Sequence, residues 1–245
     1  MAEQELPFQL LPWDSSFFGR RIARVLGEHP SASELGGVVE LARREGVDCL
    51  YYLVDPRAEL TSQSATRAGF QLVDVRLTLE GPVPAAGVAV PAVRTARPED
   101  VPDLRAIASS SHRDSRFYAD EHFPRERCDA LYATWIQRSV EEGFADAVLV
   151  ASEDDDMLGY VTCQKKEDGS GQIGLLAVAA QARGKGLGKK LLAAALRWLA
   201  EQNVKRVSVV TQGKNAAAQR LYQQSGLLTR DAMLWYHLWP ASVVK

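Results

Sequence analysis

Cysteines and long apolar runs are scarce in this chain. Its 245 residues include only three cysteines, Cys49, Cys128 and Cys163. An odd and scattered set argues against a disulfide framework and against a zinc site. No apolar run approaches the length of a membrane span, and residues 1–5 lack the basic start and apolar core of a signal peptide. We therefore expect a cytoplasmic protein with no bound metal and no membrane contact.

A charge excess of either sign is also absent. The formal net charge is −2, and 24% of the residues are charged. Such a balance gives no global field that would attract nucleic acid or an anionic membrane. The length suffices for one large domain or two small ones, with an ample core in either case.

Two features that resemble chemical sites have simpler explanations. Cys163 closes the apolar, strand-like run 160–163, which predicts a core thiol rather than a nucleophile. The acidic run Glu153–Asp156 lies between two predicted strands, 147–152 and 157–165. Three adjacent aspartates on a tight turn cannot converge on one ion, so this run predicts a solvated hairpin turn.

The most informative segment is the basic, glycine-rich stretch 181–190. It follows the apolar run 173–178, which suits a buried strand. It precedes a run in which leucines recur at helical spacing, at positions 187, 191, 192, 196 and 199. A glycine-rich turn between a strand and a helix directs backbone N–H groups and the positive end of the helix dipole at one point. The pattern predicts a phosphate- or pyrophosphate-binding loop.

Spacing excludes one familiar phosphate loop and disfavours a second. A P-loop needs four residues between its first glycine and Gly-Lys, then Ser or Thr. Here three residues separate Gly184 from Gly188, and Lys190 occupies the hydroxyl position. A dinucleotide fingerprint needs an acidic residue at the end of the next strand. The next predicted strand, 207–211, carries no acidic residue there.

The remaining pattern resembles the cofactor loop of the GNAT acetyltransferases. Gln181-Ala182-Arg183-Gly184-Lys185-Gly186 matches the Gln/Arg-x-x-Gly-x-Gly/Ala loop of that family at every fixed position. The family also has a later helix with an asparagine near its start and a tyrosine about two turns further on. Asn215 and Tyr222 match these positions, and Gly226 is placed to end that helix.

The resemblance implies a fold and a domain organisation. We expect an α/β protein with a mixed sheet, in which residues 91–245 form a GNAT domain. The preceding residues 1–85 follow an αβαβ order without a glycine-rich loop. They predict a smaller, degenerate GNAT-like αβ domain that packs against the GNAT domain. The small, uncharged stretch 81–91 contains prolines and predicts the linker.

The resemblance also implies a donor and site residues. Acetyl-CoA would be the acyl donor, and backbone N–H groups would stabilise negative charge on its carbonyl oxygen. Tyr222 would be the proton donor to the departing thiolate, unless it is a core tyrosine. Asn215 would bind the cofactor, unless it only caps its helix. The expected cofactor-binding residues are Leu176, Ala177, Val178, Arg183, Gly184, Lys185, Gly186, Leu187, Gly188 and Asn215.

A narrower resemblance concerns the acceptor. The segments 11–19, 115–118 and 132–136 are similar to those of dTDP-fucosamine acetyltransferases, which acetylate the amine of a nucleotide-linked amino sugar. The glycine loop departs from that group, because here it is the full version and theirs is abbreviated. The resemblance implies a small amine acceptor, with Arg116 and Tyr118 as substrate-binding residues, although Arg116 could equally form an exposed salt bridge.

Three questions stay open from the sequence. His112, Glu121 and His122 are candidate bases by position only, and a water relay would also serve. A peptide or protein amine as acceptor, and a non-catalytic acyl-CoA sensor, remain alternatives to the sugar enzyme. A homodimer is compatible with the sequence but not indicated by it.

Overall fold

The computed structural model describes residues 6–29, 31–84, 93–154 and 156–240. These residues form two compact units. The first consists of the described parts of Met1–Arg76, Arg116–Phe123 and Ala232–Lys245, and the second of Leu77–Ser115 and Pro124–Asp231. The domain bounds 1–85 and 91–245 stay a prediction, since residues 85–92 lie outside the described ranges.

The first unit contains four complete helices and three complete strands, and it shares two further strands with the second unit. Strands β4 and β10 are each divided between the units by sequence. The elements are β1 (Phe8–Leu10), α1 (Pro12–Phe18), β2 (Ile22–Val25), α2 (Ala32–Arg44), β3 (Cys49–Val54), α3 (Glu59–Arg67), β4 (Gln71–Pro82), α5 (Arg116–Ala119) and β10 (Leu228–Leu238).

A mixed set of strands forms the centre of the first unit. β1 pairs with β2 in antiparallel fashion, β2 with β3 in parallel, and β3 with β10 in antiparallel. β3 reads Cys-Leu-Tyr-Tyr-Leu-Val, and five of its six side chains are buried, as expected of a strand covered on both faces. A capping box between Ser31 and Glu34 begins α2. That helix buries Leu35 and neighbouring apolar side chains in the core.

The second unit carries the glycine-rich segment. Between the shared strands β4 and β10 its elements follow in chain order. They are β5 (Val93–Thr95), α4 (Val101–Ser110), α6 (Arg125–Glu141), β6 (Ala147–Glu153), β7 (Asp156–Lys165), β8 (Gly171–Val178), α7 (Leu187–Glu201), β9 (Arg206–Gln212) and α8 (Ala216–Gln224).

Strands β5 to β8 form an antiparallel meander, and β8 then pairs with β9 in parallel. The parallel pair is possible because α7 provides the crossover between the two strands. Its apolar face, which includes Leu191, Leu192 and Leu199, is buried against side chains such as Val161 and Ile173. The predicted mixed-sheet α/β fold is confirmed.

Most predicted elements of the second unit occur within one to three residues of their expected bounds. The β6–β7 hairpin turns in the acidic run, as predicted. Gly81 and Pro82, assigned to the linker by the sequence, are instead the last residues of β4. No sequence pattern predicted β1, α1, β2 or α5, which are three to seven residues long.

The cysteines and the helices are the features on which the sequence predicted no disulfide and no membrane span. Cys49, Cys128 and Cys163 are all buried free thiols. Burial raises the pKa of Cys163 to about 12, so it is a core thiol as predicted. Within the described ranges, no helix combines the length and apolarity that a bilayer crossing requires.

Gly159 tests how tightly the second unit is packed, and Gly36 of the first unit provides the control. A Cβ at Gly159 in β7 would lie 2.6 Å from the carbonyl oxygen of Ala177, whereas a Cβ at Gly36 in α2 meets nothing within 4 Å. We predict that Gly159→Ala lowers the free energy of unfolding by about 1–3 kcal/mol through overpacking. Gly36→Ala, the control, should raise it by about 0.5–1 kcal/mol. Thermal unfolding measures both, and an unchanged Gly159→Ala midpoint would contradict the packing described here.

Candidate functional site

The loop between β8 and α7 contains two glycines in a left-handed backbone conformation. Gly184 and Gly186 both have a φ of +76°, in the left-handed region that favours glycine. A Cβ at either position would meet no atom within 4 Å, so both face open space. Gly186 is the N-cap of α7, and it offers no side-chain cap. The first N–H groups of a fifteen-residue helix are therefore left for another partner.

The end of β8 that leads into this loop is paired on one side only. Its parallel ladder with β9 ends at Ile173, opposite Val209. Its antiparallel ladder with β7 continues to Val178, opposite Gly159. Among the described strands, the edge of residues 174–178 that faces away from β7 has no ladder partner.

Hydrogen bonds identify which N–H groups lie on that unpaired edge. Ala179 N donates to Leu158 O at 2.8 Å, and Leu175 N donates to Thr162 Oγ1 at 2.8 Å. Alternation along the strand directs the N–H of Ala177 towards β7 as well. The N–H groups of Leu176 and Val178 point the other way, to the unpaired edge. Of the three predicted backbone donors, two are therefore free for a ligand and Ala177 is not.

A bulge separates the two parts of β8. The register with β7 shifts between Val161 and Cys163, so that Gly174 and Leu175 of β8 lie opposite the single residue Thr162 of β7. A Cβ at Gly174 would lie 2.6 Å from Thr162 Oγ1, so glycine is needed for this close approach. The bulge therefore occurs where the ladder with β9 ends, and it redirects the strand at that point.

Positive side chains surround the loop. Arg183 and Lys185 are exposed. Arg183 Nε donates to Val178 O at 3.1 Å, so its guanidinium lies beside the unpaired edge. Leu187 and Gly188 begin α7, and a Cβ at Gly188 would lie 3.4 Å from the side chain of Leu221 in α8. All the predicted loop residues thus belong to one strand–loop–helix segment.

Asn215 and Tyr222 occupy α8 as expected from their spacing. Asn215 is the N-cap, and its Oδ1 accepts from Ala218 N at 3.0 Å. The capping role is therefore real, and it leaves the amide Nδ2 as the group that could donate to a ligand. Tyr222 is buried in the core of the second unit. Burial raises its pKa to about 12, so the phenol stays protonated at neutral pH.

Arg116 and Tyr118, the predicted substrate residues, belong to the first unit. Tyr118 is buried. The Arg116 guanidinium lies 4.1 Å from the ring centroid of Tyr51 and 4.4 Å from that of Trp235. Its Nη1 also contacts His237 Nε2 at 2.9 Å. Arg116 is therefore held by aromatic rings and an imidazole, and the described residues give it no exposed salt bridge.

Beside Arg116 lies a buried polar network that sequence reasoning missed. His237 Nδ1 contacts Asp120 Oδ2 at 2.7 Å, and Trp239 Nε1 donates to the same oxygen at 2.9 Å. Burial alone would raise the pKa of Asp120, but hydrogen bonds from His237, Trp239 and His122 hold it well below its usual range. Burial lowers the pKa of His237 to about 4. Because 117 residues separate Asp120 from His237, no local pattern could reveal the contact.

The three candidate bases have different environments. Glu121 is exposed. His122 stacks on Trp239 and bonds Asp120. His112 stacks on Tyr132 and contacts the Tyr160 hydroxyl at 3.1 Å, and burial lowers its pKa to about 4. Within the described part of the chain, no group of His, Cys, Asp and Glu is arranged to hold a metal ion.

Comparison with known proteins agrees with this geometry. Residues 104–227 match the model of the acetyltransferase (GNAT) family. The chain is 28% identical over 238 residues to the dTDP-fucosamine acetyltransferase of Escherichia coli O6:H1, covering 93% of this chain and 96% of that protein. It is 27% identical over 148 residues to the spore coat polysaccharide biosynthesis protein SpsD of Bacillus subtilis, which covers 60% of this chain and 50% of that protein.

Solved structures share the fold at lower identity. A GCN5-related N-acetyltransferase from Sphaerobacter thermophilus superposes with a TM-score of 0.66 and 16% identity, covering 95% of this chain and 76% of that one. A tandem GNAT protein from the clavulanic acid biosynthesis pathway superposes with a TM-score of 0.60 and 15% identity, covering 91% and 76%. The family match, the fold, the glycine loop and the half-paired strand agree: this chain belongs to the GNAT family and is an N-acetyltransferase.

Proposed function

We propose that the protein transfers the acetyl group of acetyl-CoA to the amine of a nucleotide-linked amino sugar by direct attack. The observation that carries this proposal is the unpaired edge of β8 beside the uncapped start of α7. An extended, amide-containing ligand can add to a free strand edge, and its phosphates can meet helix N–H groups. Acetyl-CoA has both parts in one molecule.

The residues around the loop fit that donor. The left-handed Gly184 and Gly186 would let phosphate oxygens approach the main chain without a Cβ in the way. Arg183 and Lys185 supply positive charge. The N–H groups of Leu176 and Val178 would bond the pantetheine amides and the acetyl carbonyl oxygen, on which negative charge develops during transfer. Asn215 would add a hydrogen bond through Nδ2.

A nucleotide-linked amino sugar is supported as the acceptor by the relatives and by one residue. The dTDP-fucosamine acetyltransferase resembles this chain across both compact units, and the SpsD name refers to polysaccharide biosynthesis. Arg116 is a fixed cation, suited to a phosphate of the acceptor. A peptide acceptor has no such support among the contacts of the first unit.

Direct attack, without an acyl-enzyme, is supported by the burial of all three thiols. Cys163 is buried in the second unit, and its raised pKa leaves almost no thiolate at neutral pH. The acceptor nitrogen would then attack the acetyl carbon itself, so both substrates must be bound together. Tyr222, a phenol that stays protonated, would give its proton to the departing sulfur.

Replacement of Gly186 tests the loop. We predict that Gly186→Val weakens acetyl-CoA binding strongly, because the new side chain occupies the space that the pyrophosphate needs. Valine is also strained at this φ, so the control is Gly169→Val, which has a φ of +78° and equally open surroundings outside the loop. Calorimetry should show near-normal binding for the control alone. Equal affinity in both variants, with the fold intact, would mean that the loop does not hold acetyl-CoA.

Turnover tests the reaction and the role of Tyr222. With dTDP-fucosamine as acceptor, the wild-type protein should release CoA, and a lysine peptide should be a far poorer acceptor. Tyr222→Phe should lower kcat by about a hundredfold and leave the Kd for acetyl-CoA nearly unchanged. A wild-type rate in this variant would make Tyr222 a packing residue. Absence of turnover with a panel of amino sugars would contradict the proposed function.

A further inference from the structure

The segment 111–115 of the second unit contains buried polar groups that the proposed chemistry has not used. His112 has a φ of +55°, a left-handed conformation that few residues other than glycine adopt, although histidine adopts it more often than most. Such strain costs about 1–3 kcal/mol and is found most often at functional sites. The strain alone does not identify a function, which depends on the contacts of His112.

Two hydroxyls flank His112 without hydrogen-bond partners. Ser111 and Ser115 are 7% and 4% exposed, and the Oγ of each is buried with no partner among the described residues. Buried polar atoms almost always have a hydrogen-bond partner, because a buried donor or acceptor without one costs about 1–3 kcal/mol. Two such atoms within five residues give this segment hydrogen-bonding capacity that no described residue satisfies.

His112 is the member of this group that a ligand can reach. Tyr160 is fully buried, whereas His112 keeps part of its surface exposed. One face of the imidazole stacks on Tyr132, with ring centroids 4.6 Å apart. Its Nε2 lies 3.1 Å from the Tyr160 hydroxyl, so that the ring orientation is fixed on two sides.

The strand beneath connects this histidine with the donor site. Tyr160 pairs with Ala177 across the β7–β8 ladder, and Ala177 lies between the two residues whose N–H groups face the unpaired edge. Thr162, on the same face of β7 as Tyr160, bonds the β8 bulge through Leu175 N. The His112–Tyr160 pair is therefore attached to the part of β8 where we place the acetyl group.

We propose that His112 is the base for the acceptor amine, with Tyr160 as its positioning residue and the Ser111 and Ser115 hydroxyls as contacts for polar groups of the acceptor. This inference rests on the proposed function. If Nε2–H donates to the Tyr160 oxygen, the lone pair of Nδ1 is free to accept a proton. One N–H bond of the acceptor ammonium breaks, its electron pair stays on nitrogen to attack the acetyl carbon, and the proton binds Nδ1 before it leaves to water.

The protonation state agrees with this role. Burial lowers the pKa of His112 to about 4, so the imidazole is neutral near pH 7 and its lone pair is available. The same lowered pKa makes the imidazole a weak base, so it holds the proton only briefly before the proton leaves to water. The serine hydroxyls, uncharged and buried, match the hydroxyl groups of a sugar better than they match an ionic group.

A kinetic experiment tests the base. Asparagine tolerates the left-handed conformation, so His112→Asn keeps the backbone while it removes the proton acceptor. We expect kcat with dTDP-fucosamine to fall by about a hundredfold with an unchanged Kd for acetyl-CoA. His29→Asn, the matched control, should retain the wild-type rate. Undiminished turnover in folded His112→Asn overturns this inference alone, whereas a wild-type protein inactive on every amino sugar overturns the proposed function and this inference together.

A spectroscopic experiment tests Tyr160 independently of turnover. In protein labelled with ¹⁵N-histidine, the four histidines give separate ring signals, and His112→Asn identifies the one from His112. We expect the neutral tautomer protonated at Nε2 in the wild type, and a mixture of tautomers in Tyr160→Phe. A merely structural tyrosine would leave the tautomer unchanged. An Nδ1-protonated ring in the wild type would overturn the proposal.

Discussion

The end of the β8–β9 ladder at Ile173 is the constraint on which the rest of the site depends. A parallel pair that continued to Val178 would satisfy every N–H group of β8 internally. Because the ladder stops early, the N–H groups of Leu176 and Val178 face an edge without a strand partner among the described residues. The bulge at Gly174, held by Thr162, redirects β8 at the same point. The sheet thus provides a strand edge in the interior of the unit instead of at its margin.

The charges and dipoles of the second unit are arranged around that edge. β8 leads directly into the loop, so the free N–H groups of the strand and of α7 lie in one continuous segment. Arg183 contacts Val178 O and adds positive charge between the free N–H groups of β8 and those of α7. On the adjacent strand β7, the hydroxyl of Tyr160 contacts the imidazole of His112. Donor binding and proton transfer are in this account two uses of the same pair of strands.

The sequence predicted the parts of this arrangement that are local. The loop, the start of α7 and the Asn215–Tyr222 helix depend on spacing within about two turns, which periodicity and glycine placement reveal. The sequence did not reveal contacts between residues that are far apart in the chain. The contact of His237 with Asp120 joins residues 117 positions apart, and the direction of the Ala177 N–H towards β7 follows from strand register; no local sequence pattern encodes either one. His112 was named by position only, because its partner Tyr160 is 48 residues away.

Amide hydrogen exchange of β8 tests the central claim most directly. Without ligand, the N–H groups of Leu176 and Val178 should exchange faster than that of Ala177, which faces β7. Saturating acetyl-CoA should slow exchange at Leu176 and Val178 by an order of magnitude or more, because new hydrogen bonds form there, and should change Ala177 little. Protection confined to the loop, with Leu176 and Val178 unchanged, would contradict the account that the unpaired edge of β8 binds the donor.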